Sequence, residues 1–450
     1  MQKIKYALVG VFAVLVMLWL FTEPSVLRSA TFLAWRDVLV QLSGTLAIGC
    51  MSVAMILALR PRWLEPWLGG LDKMYRLHKW LGISALVVVV VHWLWAKGPK
   101  WAIGWGLLER PMRGPRPVFE NPVEALFKAI GHTAEEIGEW GFYAIVVLIV
   151  LALVTRFPYR TFFKTHNFMA VAYLVMAFHA VVLIKFSYWV TPYGLVMAML
   201  IAGGTWAAVV ALLGRVGIQR LVKGSIASLQ YYSGVRSLEV EIAGMRGWPG
   251  HKAGQFAFVT MGRSEGGHPY TIASGWHSAE TGLKFLVKEL GDYTTGLREK
   301  LSLGQEVTVE GPYGCFTFDD NCPHQIWIGG GVGMTPFMAR MQEMARESGG
   351  SHSTNARTVD FFYSTAEVDE EVLEKLRTDA SAAGVRLHVL VDSRDGHLTG
   401  PRVREAVPQW QAASIWFCGP ARFGEALKRD FGACGFPVKA RFHQELFAMR

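Results

Sequence analysis

The chain changes character near residue 214. Before it, long apolar runs are separated by polar connectors; after it, short alternating segments are divided by glycine turns. Apolar runs of roughly 17–25 residues read as membrane helices, because every backbone polar group must be satisfied inside the bilayer. Six such runs are predicted: Tyr6–Phe21, Val38–Leu59, Arg76–Trp95, Trp140–Val154, His166–Ile184 and Tyr188–Leu213. Beyond them, alternation predicts strands at Ser228–Tyr232, Ser237–Ile242, Gln255–Thr260, Leu283–Val287 and Glu306–Val309, an antiparallel β-barrel pattern. After Cys322 the order becomes strand and helix in turn. Strands are expected at Gln325–Ile328, Val359–Tyr363, Arg386–Val391 and Ser414–Cys418, with helices at Thr335–Arg346 and Glu370–Ala380. That alternation argues for a parallel sheet with helices on both faces. The expected fold is thus an α-helical transmembrane bundle of six spans (1–214), an antiparallel β-barrel domain (215–321) and an α/β parallel-sheet domain (322–450).

Within the apolar part, four histidines break the pattern. His78 and His92 sit near opposite ends of the third run, and His166 and His179 near opposite ends of the fifth. At about 1.5 Å of rise per residue, His78 and His92 lie roughly 21 Å apart along a helix and on nearly the same face. An imidazole inside a membrane is costly unless something ligates it. Two histidines at each of two depths suit two stacked haems, each iron taking one axial nitrogen per face. The His166–His179 separation is about 3.6 turns, so an ideal helix would point those two rings well apart.

Charge orients this part. Arg60, Arg62, Lys73, Arg76 and Lys79 crowd one connector, Arg156, Arg160 and Lys164 another, and Arg215, Arg220 and Lys223 follow the last run. The positive-inside rule then puts both termini in the cytosol and the Lys97–Glu139 loop outside. Both histidine runs lead outward, so His78 pairs with His166 at the inner depth and His92 with His179 at the outer. The net charge of +9 is absorbed by this topology, and no nucleic-acid partner is expected. Cys50, Cys315, Cys322, Cys418 and Cys434 show no CxxC pair, which argues against an iron–sulfur cluster.

In the second part, Ile326–Pro336 is a strand running into a glycine turn. Gly330, Gly331 and Gly333 let a pyrophosphate approach the backbone, and Thr335 as N-cap with Pro336 behind it opens a helix whose free N–H groups can hold phosphate. Cys418-Gly419-Pro420 ends a later strand and brings a second turn to the same sheet edge, where ligands of such sheets gather. Together the two turns favour a dinucleotide.

The barrel carries His268-Pro269-Tyr270-Thr271, then Lys288 with Gly291 and Thr294, then Gly311-Pro312-Tyr313-Gly314. In this order these stretches resemble the flavin site of the ferredoxin–NADP reductase family. More broadly, the chain from the histidine runs onward resembles the NADPH oxidase and ferric reductase superfamily, in which a six-span di-haem domain precedes an FAD and NAD(P)H module. The resemblance covers essentially the whole chain. It includes the histidine spacings and the ending Gln444-Glu445-Leu446-Phe447.

The resemblance implies FAD, two b-type haems and NADPH or NADH as cofactors. Tyr270 and Thr271 would pack and hydrogen-bond the isoalloxazine, Lys288 and Thr294 would meet the flavin pyrophosphate with Gly291 giving the backbone room, and His268, Pro269 and Gly311 would belong to the same site. Cys418 would lie near the nicotinamide ring, and Phe447, on a closing strand from Val438, would cover the flavin. Asp392-Ser393-Arg394 resembles a Ser-Arg pair that takes a 2′-phosphate, which makes NADPH the expected nucleotide. The strand end Tyr363–Glu367 lacks the arginine that some NADPH-using relatives have there.

The function expected is that of a plasma-membrane (cell inner-membrane) oxidoreductase. It would move electrons from cytosolic NAD(P)H through FAD and two haems to an outside acceptor such as a ferric chelate or dioxygen, the latter giving superoxide. Two rivals stay open: a relay subunit feeding a quinone or a partner redox protein, and a transporter or proton channel using the histidines as a relay.

Overall fold

The computed structural model describes residues 2–23, 31–109, 119–154, 159–262, 266–277, 282–291, 293–348 and 357–445. It divides into two compact units with the main boundary between Val216 and Gly217. Among the described residues of the first unit, six helices are long and apolar enough to cross a membrane. They are α1 (Gln2–Thr22), α2 (Phe32–Ala58), α3 (Leu71–Gly104), α4 (Pro122–Leu153), α5 (Tyr159–Leu183) and α6 (Pro192–Leu212). The chain is an integral membrane protein.

Two helices outrun their apolar stretches. α3 continues to Gly104 and α4 starts at Pro122, so most of the expected Lys97–Glu139 loop is helical. The reason is local. Asn121 accepts a hydrogen bond from the Val123 N–H at 2.9 Å, and Pro122 suits the first turn. The added turns are amphipathic, and Lys97 pairs with Glu139 at 2.6 Å across the two helices. Hydropathy alone cannot see such turns. Conversely, Phe186–Val190 is a 3-10 turn, and the last span begins at Pro192 behind the Thr191 cap.

α2 is the central helix by burial, with twelve buried residues. Thr45 bonds the Tyr193 hydroxyl at 2.6 Å and Ser52 that of Tyr173 at 2.9 Å. Such polar contacts and small residues join helices where lipid removes the hydrophobic drive. The buried face of α4 is Ala134, Gly138, Gly141, Ile145 and Ile149, a helical stripe of mostly small side chains.

The second unit contains two sheets. Strands β1 (Leu221–Tyr232), β2 (Ser237–Ala243), β3 (Phe256–Thr260), β4 (His268–Thr271), β5 (Leu283–Lys288) and β6 (Glu306–Tyr313) form an antiparallel sheet in the order β4-β3-β6-β1-β2-β5. The sheet curls until its edges touch at Ile272 and Phe285, where the Ala273 N–H donates to Lys284 O at 2.7 Å. Leu238, Val240 and Ile242 alternate inward from β2, as a strand with one buried face requires. β4 carries His268–Thr271, which sequence alternation alone does not mark as a strand.

The other sheet is parallel, ordered β11-β10-β7-β8-β9. Its strands are β7 (His324–Gly330), β8 (Thr358–Thr365), β9 (Arg386–Val391), β10 (Ser414–Cys418) and β11 (Phe442–Gln444). Helices α7 (Thr335–Ser348), α8 (Glu370–Ala382) and α9 (Ala421–Ala433) cover it. Trp327, Phe337 and Phe361 pack on one side, and Ile326, Ile328 and Phe417 on the other. The expected closing strand is shorter than its sequence suggests. Val438–Arg441 is a helical turn, and Phe442–Gln444 alone pairs, parallel to β10.

Candidate functional sites in the two units

In the membrane unit the four histidines form two pairs. The rings of His78 and His166 have centroids 5.9 Å apart, and those of His92 and His179 6.3 Å apart. Two imidazoles bound through nitrogen to one metal, with bonds of about 2 Å, place their centroids about 6 Å apart. Both pairs therefore fit a shared iron. α5 carries both of its histidines on one uninterrupted helix, despite the angular offset that their spacing implies.

Neighbouring helices set the rings. His78 Nδ1 lies 2.9 Å from Ala54 O, His92 Nδ1 3.1 Å from Val40 O, and His179 Nδ1 2.8 Å from Ala134 O. A carbonyl oxygen only accepts, so in these three rings Nδ1 carries the proton and Nε2 keeps its lone pair for a ligand. Ser43 Oγ adds a contact to His92 Nδ1 at 3.0 Å. His166 is different: its Nδ1 is buried without a hydrogen-bond partner among the described residues, and Phe162 stacks on the ring at 5.1 Å. Room for the His92–His179 pair comes from two glycines. A Cβ at Gly138 would stand 1.9 Å from His179 Nδ1, and one at Gly44 would stand 3.2 Å from His92 Cε1.

The soluble unit brings its two glycine turns together. Strand order reverses between β7 and β10, since the chain adds β8 and β9 on one side and then returns to the other. Ligands of open parallel sheets bind at such a switch point. A Cβ at Gly333 would meet Cys418 O at 2.2 Å, and one at Gly330 would meet Pro420 Cδ at 2.9 Å. Gly419 in turn faces Gly330 Cα, 3.2 Å from its own missing Cβ. These three glycines exist to let the turns touch. Gly331 does the opposite: its φ is +57° and nothing lies within 4 Å of its Cβ position. The backbone there is open to a ligand.

One expectation at this turn is corrected. Thr335 is not an N-cap, because Gly331–Met334 already turns as a 3-10 helix and Thr335 has helical φ and ψ. Its hydroxyl donates back to Val332 O at 2.5 Å, and Pro336 follows inside the helix. Cys418 is buried at the end of β10, and burial, reinforced by the Glu445 carboxylate, pushes its thiol well above the usual range. Its thiol is therefore un-ionised at neutral pH.

In the barrel, His268 stacks face to face on Tyr293 at 3.9 Å and 10°, and Tyr270 lies across from Ala257 on β3. Pro269 faces Phe258, Thr271 is buried opposite Phe256, and a Cβ at Gly311 would stand 3.2 Å from the Ala257 Cβ. Thr294 Oγ accepts from the N–H groups of Leu290 and Gly291, at 2.9 and 3.2 Å, and so closes its own turn. A Cβ at Gly291 would meet nothing within 4 Å. Lys288 is the last residue of β5. With Gly331, Val332 and Thr365 it lines a small cleft between the two sheets, and it pairs with Glu367 at 2.7 Å. Sequence reading passes over Glu367 and its second partner Arg236, because each looks like an ordinary surface charge.

Ser393 and Arg394 are exposed in a helical turn after β9, where Arg394 pairs with Asp395 at 3.1 Å. Phe447 lies outside the described residues.

Comparison with known proteins agrees with this division. Residues 43–177 match the family model of the ferric reductase like transmembrane component, and residues 223–317 that of an FAD-binding domain. The chain belongs to the ferric reductase and NADPH oxidase superfamily. It is 35% identical over 85 residues to ferric reduction oxidase 5 of Arabidopsis thaliana, covering 18% of this chain and 12% of that one. It is also 26% identical over 211 residues to the reductase component of propane 2-monooxygenase from Rhodococcus jostii, covering 43% of this chain and 55% of the relative. The chain thus spans about half the length of the first curated relatives it matches. A solved Amycolatopsis cytochrome P450 reductase aligns with 51% of this chain and 70% of its own, at 21% identity and a TM-score of 0.44.

Proposed function

We propose that the protein is an NAD(P)H-dependent oxidoreductase that carries electrons across the membrane. NAD(P)H would be oxidised on the side of the soluble unit and an acceptor reduced on the other. The observation that carries this reading is the pair of imidazole pairs, at 5.9 and 6.3 Å, that α3 and α5 form between them. When bound, FAD takes two electrons at once and releases them singly, and haem iron passes one at a time. His78 with His166 and His92 with His179 would hold the two haems. Ala54, Val40 and Ala134 orient three of the rings through their carbonyl oxygens.

Tyr270, Thr271, His268 and Tyr293 would meet FAD along β4 and its neighbouring turn. Gly331 and Lys288 face one cleft, which supports giving both to the diphosphate of the nicotinamide nucleotide. Ser393 and Arg394 are candidates for a 2′-phosphate, and Cys418 forms a neutral wall near the same edge. The basic connectors support a cytosolic soluble unit and cytosolic termini. The acceptor proposed is a ferric chelate or dioxygen. The alternative is a relay role feeding a quinone or a partner redox protein. Purified full-length protein, offered ferric chelate, dioxygen or quinone in turn with NADPH and with NADH, tests this. Turnover with a small acceptor and no partner supports the enzyme; none with any acceptor contradicts it.

A further inference from the structure

Lys288 and Glu367 meet in the cleft between the two sheets of the soluble unit. Lys288 ends β5 and Glu367 follows the end of β8, and Nζ lies 2.7 Å from Oε2. The other carboxylate oxygen accepts from Arg236, at 2.6 Å from Nη2 and 3.1 Å from Nε. The three groups are unequally placed. Lys288 has only 18% of its side chain exposed and lines the cleft beside Gly331, whereas Arg236 is 57% exposed.

A cation beside an open glycine turn is the arrangement that binds phosphate. Here the cation is already engaged by a carboxylate. The positive charges of Lys288 and Arg236 hold the Glu367 carboxyl below its usual range, so it is ionised at neutral pH. The Thr365 hydroxyl donates to Glu367 O at 2.7 Å and fixes the backbone that carries it. If Lys288 turns away, Arg236 still binds the carboxylate through two N–H groups. Glu367 can therefore release Lys288 without being left as an unpaired charge.

We propose that Glu367 is a built-in competitor of the nicotinamide nucleotide: its carboxylate engages Lys288 until the nucleotide's diphosphate displaces it onto Arg236 alone. The inference rests on the assignment of Lys288 and Gly331 to that nucleotide. It makes Glu367 a residue that sets affinity and product release without touching the reacting atoms. A salt bridge that merely ties the two sheets together predicts something else, since removing it would loosen the cleft and weaken binding.

The test uses full-length protein with NADP⁺ and NAD⁺ titrated separately by calorimetry, and the thermal transition of each variant as a folding control. Glu367→Gln keeps a hydrogen-bonding side chain but loses the charge. It should tighten both nucleotides, by roughly fivefold or more if the coupling has the usual size. Lys288→Gln should weaken both, and adding Glu367→Gln in that background should change nothing. Unchanged or weaker binding in Glu367→Gln, with Lys288→Gln still impaired, overturns the competitor while sparing the nucleotide assignment. Unchanged binding in Lys288→Gln overturns both.

Discussion

The membrane unit and the soluble unit carry their candidate chemistry in opposite ways. In the first, side chains do the work: four imidazoles stand in an apolar surround, three of them aimed by backbone carbonyls of other helices. In the second, the backbone does it, through an open turn at Gly331 and touching turns at Gly330, Gly333 and Gly419. The two places differ in what they forbid. A bilayer penalises any unsatisfied polar group, so a histidine kept there stands out. A soluble sheet edge tolerates charge anywhere, so what marks the site is the absence of side chains. Glycine serves both units, with different purposes: at Gly138 it clears space for a ring, and at Gly333 it lets one turn touch another.

That contrast can be broken most severely at Gly138. Gly138→Val should displace His179 and remove the His92–His179 pair, lowering haem content by one per chain in a pyridine haemochrome assay. Gly10→Ala, on α1 away from the histidine helices and with nothing within 4 Å of its Cβ position, should leave haem content unchanged. Equal haem in both variants would mean that the glycine does not set the ring. In the soluble unit, Gly333→Ala forces a methyl to 2.2 Å from Cys418 O. It should destabilise that unit by about 2–4 kcal/mol, read as a lower thermal midpoint. Gly331→Ala should cost only about 1–2 kcal/mol for its left-handed backbone, yet it should weaken nucleotide binding more than its stability loss suggests. Reversal of that order would remove the distinction between the turn that touches and the turn that is open.

A third prediction concerns pH. His251 is buried, donates from Nε2 to Ser274 O at 2.8 Å, and is pushed down to about 4 by burial. Its folded value lies below its unfolded value of 6.5, so the unfolded chain binds the proton first. Stability is then fully present above pH 6.5 and is lost as the pH falls toward 4, by on the order of 3 kcal/mol. His251→Gln should flatten the fall in thermal midpoint across that window; an unchanged slope would show that another group titrates there. The smallest effect expected is at Arg394. Its exposed pair with Asp395 adds little stability, so Arg394→Ala should leave the midpoint alone and lower kcat/KM for NADPH several-fold relative to NADH. An unchanged ratio would make it a surface residue only.

The sequence reveals much of this contrast, for reasons that differ by region. The six spans and the His78–His166 and His92–His179 pairings follow from hydropathy, charge bias and spacing. The helical extensions at Gly104 and Pro122 do not, because amphipathic turns outside the bilayer leave no apolar run. The parallel sheet with its covering helices follows from alternation, and the glycine turns mark where its strands end. Alternation fails at His268–Thr271, a short edge strand of mixed burial. The Lys288–Glu367–Arg236 set is hidden for another reason. Its members lie 131 and 79 residues apart in sequence and meet only when the two sheets pack.

The central claim is that the four histidines form two separate ligand pairs. Haem content and low-spin electron paramagnetic resonance of the purified, oxidised full chain test it most directly, together with the four single His→Ala variants. Two b-type haems per chain are expected, with two low-spin signals. His78→Ala and His166→Ala should each abolish the same signal, and His92→Ala and His179→Ala should each abolish the other. A chain without haem, or variants whose losses do not sort into those two pairs, would contradict the account.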